Sequence, residues 1–226
     1  RDRLRSRGLG DVYKRQQYIL GEWSFMGFDF KVGRGVLIPR DDTEVVVNLC
    51  IDFLKNRTDK KTVDLCSGSG AIAVALDKIS GAEVTAVEID ETAFSYLETN
   101  VKENNSSVKP VMADALKICD TFADGELDLI VSNPPYIKSA DIETLQKEVR
   151  LEPRLALDGG EDGYDFYREI VSRWSRKLKK GGALAFELGE GQADAVKALM
   201  TEQGFSDFKI SLDFGGVQRA IIGTLL

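Results

Sequence analysis

Residues 22–38 (EWSFMGFDFKVGRGVLI) alternate apolar and polar positions around Gly27 and the Gly33-Arg34-Gly35 turn, a period of two that predicts one or two hairpin strands. After Pro39-Arg40 the period lengthens. Val45, Val46, Leu49, Phe53 and Leu54 recur at helical spacing, and Asp41, with Glu44 three residues on, is placed to cap that helix. From Thr62 the chain switches repeatedly between β-type and helical runs: TVDLC, then 71–79; EVTAVEI, then 91–103; VKPVM; LDLIVS; then 164–178, GALAFEL and 192–203.

Alternation of this kind specifies a mostly parallel, doubly wound sheet, because a parallel pair of strands needs a crossover between them. The end departs from it. FKISLDF and VQRAIIGTLL are separated by Gly215-Gly216, too short a link for a crossover, so an antiparallel hairpin is expected to close the sheet. The predicted division is a leader at 1–16, a β-hairpin element at 17–40 and one catalytic domain at 41–226. No internal repeat is visible.

Composition narrows the class. The 226 residues allow one sizeable α/β domain, and no apolar run approaches the roughly 20 residues needed to cross a bilayer. Five Arg and one Lys crowd residues 1–16, which have no apolar signal core and resemble a non-native leader. The whole chain carries a net charge of −7, and the remainder without the leader is more acidic still, which disfavours a nucleic-acid backbone as partner. Cys50, Cys66 and Cys119 are widely spaced and the chain has no His, so no zinc site, disulfide framework or Ser-His-Asp triad can be read. A cytoplasmic monomer without membrane partner or metal is the expectation.

Candidate chemistry begins at Val63-Asp64-Leu65-Cys66-Ser67-Gly68-Ser69-Gly70-Ala71, a strand that turns on glycine into a helix. Glycine lacks Cβ and lets the backbone approach a ligand at a helix N-terminus. Glu88, ending the next strand, stands where a carboxylate can accept hydrogen bonds from ribose hydroxyls. The pair points to an adenosine-containing ligand, and Gly68-x-Gly70-x-x-Ala73 leaves NAD open.

The next motif separates the options. Asn133-Pro134-Pro135-Tyr136 follows the apolar strand LDLIVS, at the strand end where open α/β sheets place ligands. Two prolines stiffen the loop and remove donors, leaving carbonyls as acceptors. An amide nitrogen is a poor nucleophile because its lone pair is delocalised. The Asn133 oxygen and the Pro134 carbonyl are placed to accept its two N–H bonds while Tyr136 packs on the planar group, aligning nitrogen with a methyl donor. An exocyclic adenine amine makes similar demands.

These motifs, with Tyr18-Ile19-Leu20-Gly21, Leu37-Ile38-Pro39-Arg40, Arg150-Leu151-Glu152-Pro153, Phe186-Glu187 and residues 213–219, resemble the protein glutamine methyltransferases that modify the Gly-Gly-Gln loop of peptide chain release factors. The resemblance covers nearly all of the chain beyond the leader. It implies a Rossmann-like class I fold with a seven-stranded sheet, S-adenosylmethionine as donor and S-adenosylhomocysteine as product. It also implies donor contacts at Asp64, Cys66, Gly68, Gly70, Glu88, Ile89, Asp114, Ala115 and Asn133. Asn133, Pro134, Pro135 and Tyr136 form the expected catalytic loop, and Arg40, Glu44 and Glu187 are candidate substrate residues. Alternatives are methylation of a ribosomal-protein glutamine or an adenine amine, and a nucleotide-binding adaptor without activity.

The sequence departs from the family pattern at Cys66, where a glycine or small residue is usual, at Asp41, commonly proline, and at Ala115, often aromatic. The family's N-terminal helical domain is replaced by the leader, so a fragment with reduced partner recognition is expected.

Overall fold

A computed structural model describes residues 20–146 and 149–226. The basic leader and the Tyr18-Ile19 part of the resemblance lie outside the described residues. The described chain begins with a two-stranded antiparallel hairpin, β1 (Glu22–Phe25) and β2 (Phe28–Lys31). Its turn is Met26-Gly27, both at positive φ (53° and 83°), the backbone twist that suits a two-residue hairpin. Gly33-Arg34-Gly35 does not turn a second hairpin: no strand follows it, and the chain runs on irregularly to Arg40.

Helix α1 (Asp41–Leu54) buries Thr43, Val46, Val47, Cys50 and Leu54, a stripe set by helical periodicity. Its cap differs from expectation. Arg40, in extended conformation, is the N-cap residue, and Asp41 already lies inside the first turn. Glu44 closes no capping box either, because its Oε1 accepts the Met26 N–H at 3.2 Å and ties the hairpin turn to α1.

The main sheet contains β3 (Lys61–Leu65), β4 (Glu83–Glu88), β5 (Lys109–Met112), β6 (Leu127–Ser132), β7 (Leu178–Glu187), β8 (Phe205–Leu212) and β9 (Gln218–Leu225). Their order is β5-β4-β3-β6-β7-β9-β8. The first five run parallel, whereas β9 is antiparallel to both β7 and β8. The sheet therefore has the predicted seven strands and the predicted terminal hairpin, with the last strand inserted between β7 and β8.

Helices α2 (Ala71–Ser80) and α3 (Glu91–Glu103) join α1 on one face, where Leu129, Val131, Ala183 and Ala185 of the sheet meet them. Helices α4 (Asp165–Trp174) and α5 (Ala193–Glu202) cover the other face against Ile130, Leu184 and Phe186. Both faces of the parallel strands are buried, which explains their near-continuous apolar runs.

The basic stretch at 177–180 spans a 3₁₀ turn and the start of β7, where Lys177 is buried on Asp124 at 2.7 Å and Lys179 binds Asp128 at 2.9 Å. Register fixes the functional edge. Leu65 pairs with Val87 and Ser132, and Ser132 pairs with Phe186. The residues that follow, Cys66, Glu88, Asn133 and Glu187, consequently leave the sheet side by side.

Candidate active site

At that edge the turn after β3 is held by hydrogen bonds from Ser67 N–H to the Val87 carbonyl (3.0 Å) and from Gly70 N–H to the Ser67 carbonyl (2.8 Å). Cys66 and Gly68 both take positive φ, 59° and 54°. A Cβ on Gly68 would touch nothing within 4 Å, so the turn presents bare backbone to open space. That space is a cavity of about 300 Å³ lined by Cys66, Gly68, Glu88, Ile89, Asp114, Ala115, Asn133 and Pro135, among others. Residues 35–37 and Pro39 roof it, and Phe166 and Leu155 also line it.

Glu88 is the fixed anion of the cavity. Its Oε2 accepts the Gly68 N–H at 2.7 Å, and its Oε1 accepts the N–H groups of Ile89 (2.8 Å) and Asp90 (2.9 Å). A carboxylate offers about four acceptor positions, so a ribose would share Glu88 with the glycine turn. Asp114 faces Lys117 at 2.9 Å, and the Ala115 carbonyl accepts the indole N–H of Trp174 at 2.9 Å.

Two predicted donor residues lie outside the cavity. Asp64 is completely buried, and by strand alternation with Val63 and Leu65 its side chain points to the α1 face, near Cys50. Burial lifts its carboxyl to about 8, against a partial pull downward from the Ser67 hydroxyl and the Ala73 amide. Gly70 packs behind the turn, at φ 83°, where a Cβ would come within 2.5 Å of Leu97 Cδ1. It permits the helix entry instead of lining the cavity.

A second, small cleft of about 20 Å³ adjoins the first and shares Leu37, Asn133 and Ala156 with it. It is lined by Arg40, Tyr136 and Glu187 as well. Asn133 therefore borders both spaces, and its side-chain amide has no hydrogen-bond partner among the described residues. Pro134 and Pro135 are buried, and Pro134 lines neither cavity.

The loop is braced from below. Glu187, 1% exposed, accepts the Thr43 hydroxyl at 2.6 Å on Oε2 and the Tyr136 hydroxyl at 3.3 Å on Oε1. Burial raises its carboxyl above the usual range while Thr43 and Arg40 oppose the rise. Burial and the Glu187 charge push the Tyr136 phenol well above its usual range, so it stays a neutral donor. Arg40 is tied to Glu152 at 2.7 Å. Glu44, the third candidate substrate residue, lines neither cavity.

The candidate site residues omitted Thr43, Phe166 and the roof, although Leu37 and Pro39 of the roof belong to one of the motifs. Thr43 was legible only as a polar residue on the buried stripe of α1. Nothing in the local pattern marks Phe166.

The methyltransferase small domain family matches residues 40–152. A release factor glutamine methyltransferase of Geobacter sulfurreducens is 43% identical over 212 residues, covering 92% of this chain and 72% of that protein. The chain belongs to the release factor glutamine methyltransferase family.

Another family member, from Fusobacterium nucleatum, is 40% identical over 92% of the chain, which spans 59% of that protein's length. The Clostridium acetobutylicum member is 36% identical over 91% of the chain and 73% of its own length. Solved structures share the fold at lower identity. A methyltransferase from Pyrococcus furiosus superposes with a TM-score of 0.66 at 22% identity, covering 97% of this chain and 98% of that one. The hMettl16 catalytic domain, solved in complex with a MAT2A 3′UTR hairpin, gives 0.68 at 17% identity over 88% of this chain and 76% of its own. The chain has the mostly parallel, doubly wound sheet and antiparallel end expected from its alternating strands and helices, and the Rossmann-like fold that the resemblance implied.

Proposed function

We propose that this chain transfers a methyl group from S-adenosylmethionine to the side-chain amide nitrogen of a glutamine, that of the Gly-Gly-Gln loop of a peptide chain release factor. The observation that carries the reading is the unpartnered Asn133 amide standing between a nucleoside-sized cavity and a cleft lined by Tyr136. Asn133 is half-buried in the wall shared by the two spaces, which leaves its amide open to a ligand in either one. The family membership points to the same chemistry.

The residues present suit the donor. Bare backbone at Gly68, the Glu88 carboxylate and the apolar wall of Ile89, Leu116 and Phe166 match a nucleoside that needs hydroxyl acceptors and a flat apolar bed. S-adenosylmethionine supplies a methyl carbon on a positively charged sulfur, which leaves as the neutral thioether S-adenosylhomocysteine. The chain's own part is to orient and desolvate. Asn133 Oδ1 accepts one N–H bond of the substrate amide, favouring the geometry in which positive charge develops on nitrogen, while the Pro134 carbonyl, which lines neither space, reaches the second N–H only once the small cleft has widened. Tyr136, steadied through its hydroxyl by Glu187, packs on the planar group. Arg40 and Glu187 close the far wall of the cleft. Positioning of this kind supplies much of an enzymatic rate enhancement, and the proton that the nitrogen sheds as the N–C bond forms passes to solvent, leaving a neutral secondary amide.

The test is incubation with labelled donor and release factor, beside a factor whose Gly-Gly-Gln glutamine is replaced by alanine. Label confined to the unaltered factor is expected. Label that persists on the alanine version, or appears only on a nucleic acid, overturns the assignment.

A further inference from the structure

Tyr136 is held at two ends, and only the phenol end has been accounted for. Its carbonyl accepts a hydrogen bond from Gln192 Nε2 at 3.1 Å. Gln192 is 7% exposed, at the N-cap of α5, and every polar position of its side chain is used. Nε2 also donates to the Gly163 carbonyl at 3.2 Å, while Oε1 accepts the Gly189 N–H at 2.9 Å and the Tyr167 hydroxyl at 3.1 Å. The single Tyr167 hydroxyl proton is shared with the Glu187 carbonyl at 2.9 Å. One buried amide thus joins the end of β7, the loop before α4 and the peptide unit that follows the Asn133-Pro134-Pro135-Tyr136 loop.

The surroundings leave that peptide unit no freedom. A Cβ on Gly159 would stand 2.8 Å from Tyr136 Cα, one on Gly163 2.6 Å from the Tyr136 carbonyl oxygen, and one on Gly189 2.6 Å from Gln192 Oε1 and 3.1 Å from Tyr136 Cδ2. Three glycines allow backbone and amide to close on one another from three sides. A primary amide is the neutral side chain that offers two donors and an acceptor in one plane, which is what two carbonyls, an N–H and a hydroxyl demand here.

We propose that Gln192 is a positioning residue for the group transfer: it fixes the Tyr136 main chain, and through it the aim of Asn133, without touching donor or substrate. It lines neither cavity. The proposal rests on the glutamine-amide reading above and deepens it.

Two variants of the full chain test it. Gln192→Glu keeps size and acceptors but loses the donors to Tyr136 and Gly163. Gly189→Ala displaces the amide from outside the reaction space. The measurements are kcat and KM with release factor, S-adenosylhomocysteine affinity by calorimetry, melting temperature, and hydrogen exchange of the Ile137 and Ser139 amides, which bond to the Leu157 and Gly160 carbonyls.

Both variants are expected to lower kcat by about 30-fold or more, the scale of a misaimed catalytic group, with donor-product affinity within about threefold of the wild type. Exchange at Ile137 and Ser139 should quicken while melting stays cooperative. A kcat within threefold of wild type overturns the proposal. So does a fall in kcat matched by loss of S-adenosylhomocysteine affinity or of folding, which would mark Gln192 as a general element of the core. If the wild type fails to label release factor, the functional reading fails, whereas the exchange measurement, needing no substrate, still decides whether Gln192 holds the loop.

Discussion

Asp64 is fully buried, with the Ser67 hydroxyl and the Ala73 amide near its carboxyl but outside hydrogen-bond geometry, the Ser67 hydroxyl donating instead to the Asp64 main-chain carbonyl at 2.8 Å. With its carboxyl raised from 3.8 to about 8, the folded chain holds a proton that the unfolded chain releases near pH 4. The folded state therefore binds more protons across that window, and the Asp64 contribution to stability is greatest below pH 4 and declines as pH rises toward 8, by up to about 1.4 kcal/mol per unit. Asp64→Asn removes the titration. Urea unfolding of the variant is expected to show its largest gain over wild type at pH 8 and a smaller one at pH 5; equal differences at both would mean that Asp64 is ionised in the fold. Asn133→Ala acts on the reaction instead. Losing a preorganised acceptor of this kind costs about 100-fold or more in kcat, with a far smaller change in S-adenosylhomocysteine affinity. Equal losses would show that Asn133 serves only to bind the donor.

Among the elements, α3 couples the roof of the large cavity to its floor. Asp90 caps this helix by accepting the Thr92 and Ala93 N–H groups, both at 2.9 Å, and so sets the position of Asn100 three turns on. Asn100 is completely buried. Its Oδ1 accepts the Lys31 N–H at 2.6 Å, and its Nδ2 donates to the carbonyls of Lys31 (3.0 Å) and Ser69 (2.9 Å). One amide binds β2, whose continuation forms the roof, to the glycine turn below. Leaving these groups unpaired costs about 1–3 kcal/mol. Asn100→Ala is expected to lower the melting temperature and weaken S-adenosylhomocysteine binding about tenfold, with kcat at saturating donor nearly unchanged. A proportionate loss of kcat would mean that the roof also shapes the reaction step.

Across the whole molecule, the two spaces are unequal: about 300 Å³ for the proposed donor cavity and about 20 Å³ for the cleft at Tyr136. The smaller holds little more than one water molecule, so a glutamine side chain requires it to widen. Leu37 of the roof borders both spaces, which makes the roof the element expected to move. Hydrogen exchange at residues 33–38 should fall when release factor and S-adenosylhomocysteine are added together, and less with either alone; an unchanged roof would place the opening elsewhere. The alternation of strands and helices was legible because each element's burial pattern has its own period, and the carboxyl-edge motifs because their unusual residues sit at fixed offsets from those periods. The sequence by itself determined the parallel sheet, the glycine turn, Glu88 and the Asn133-Pro134-Pro135-Tyr136 loop. Which face Asp64 takes, that Glu44 serves the hairpin, and that Thr43, Asn100 and Gln192 bind segments 144, 69 and 56 residues away were decided only in three dimensions. A hydrogen bond between distant segments leaves no period along the chain, because its partner is selected by sheet register and helix packing.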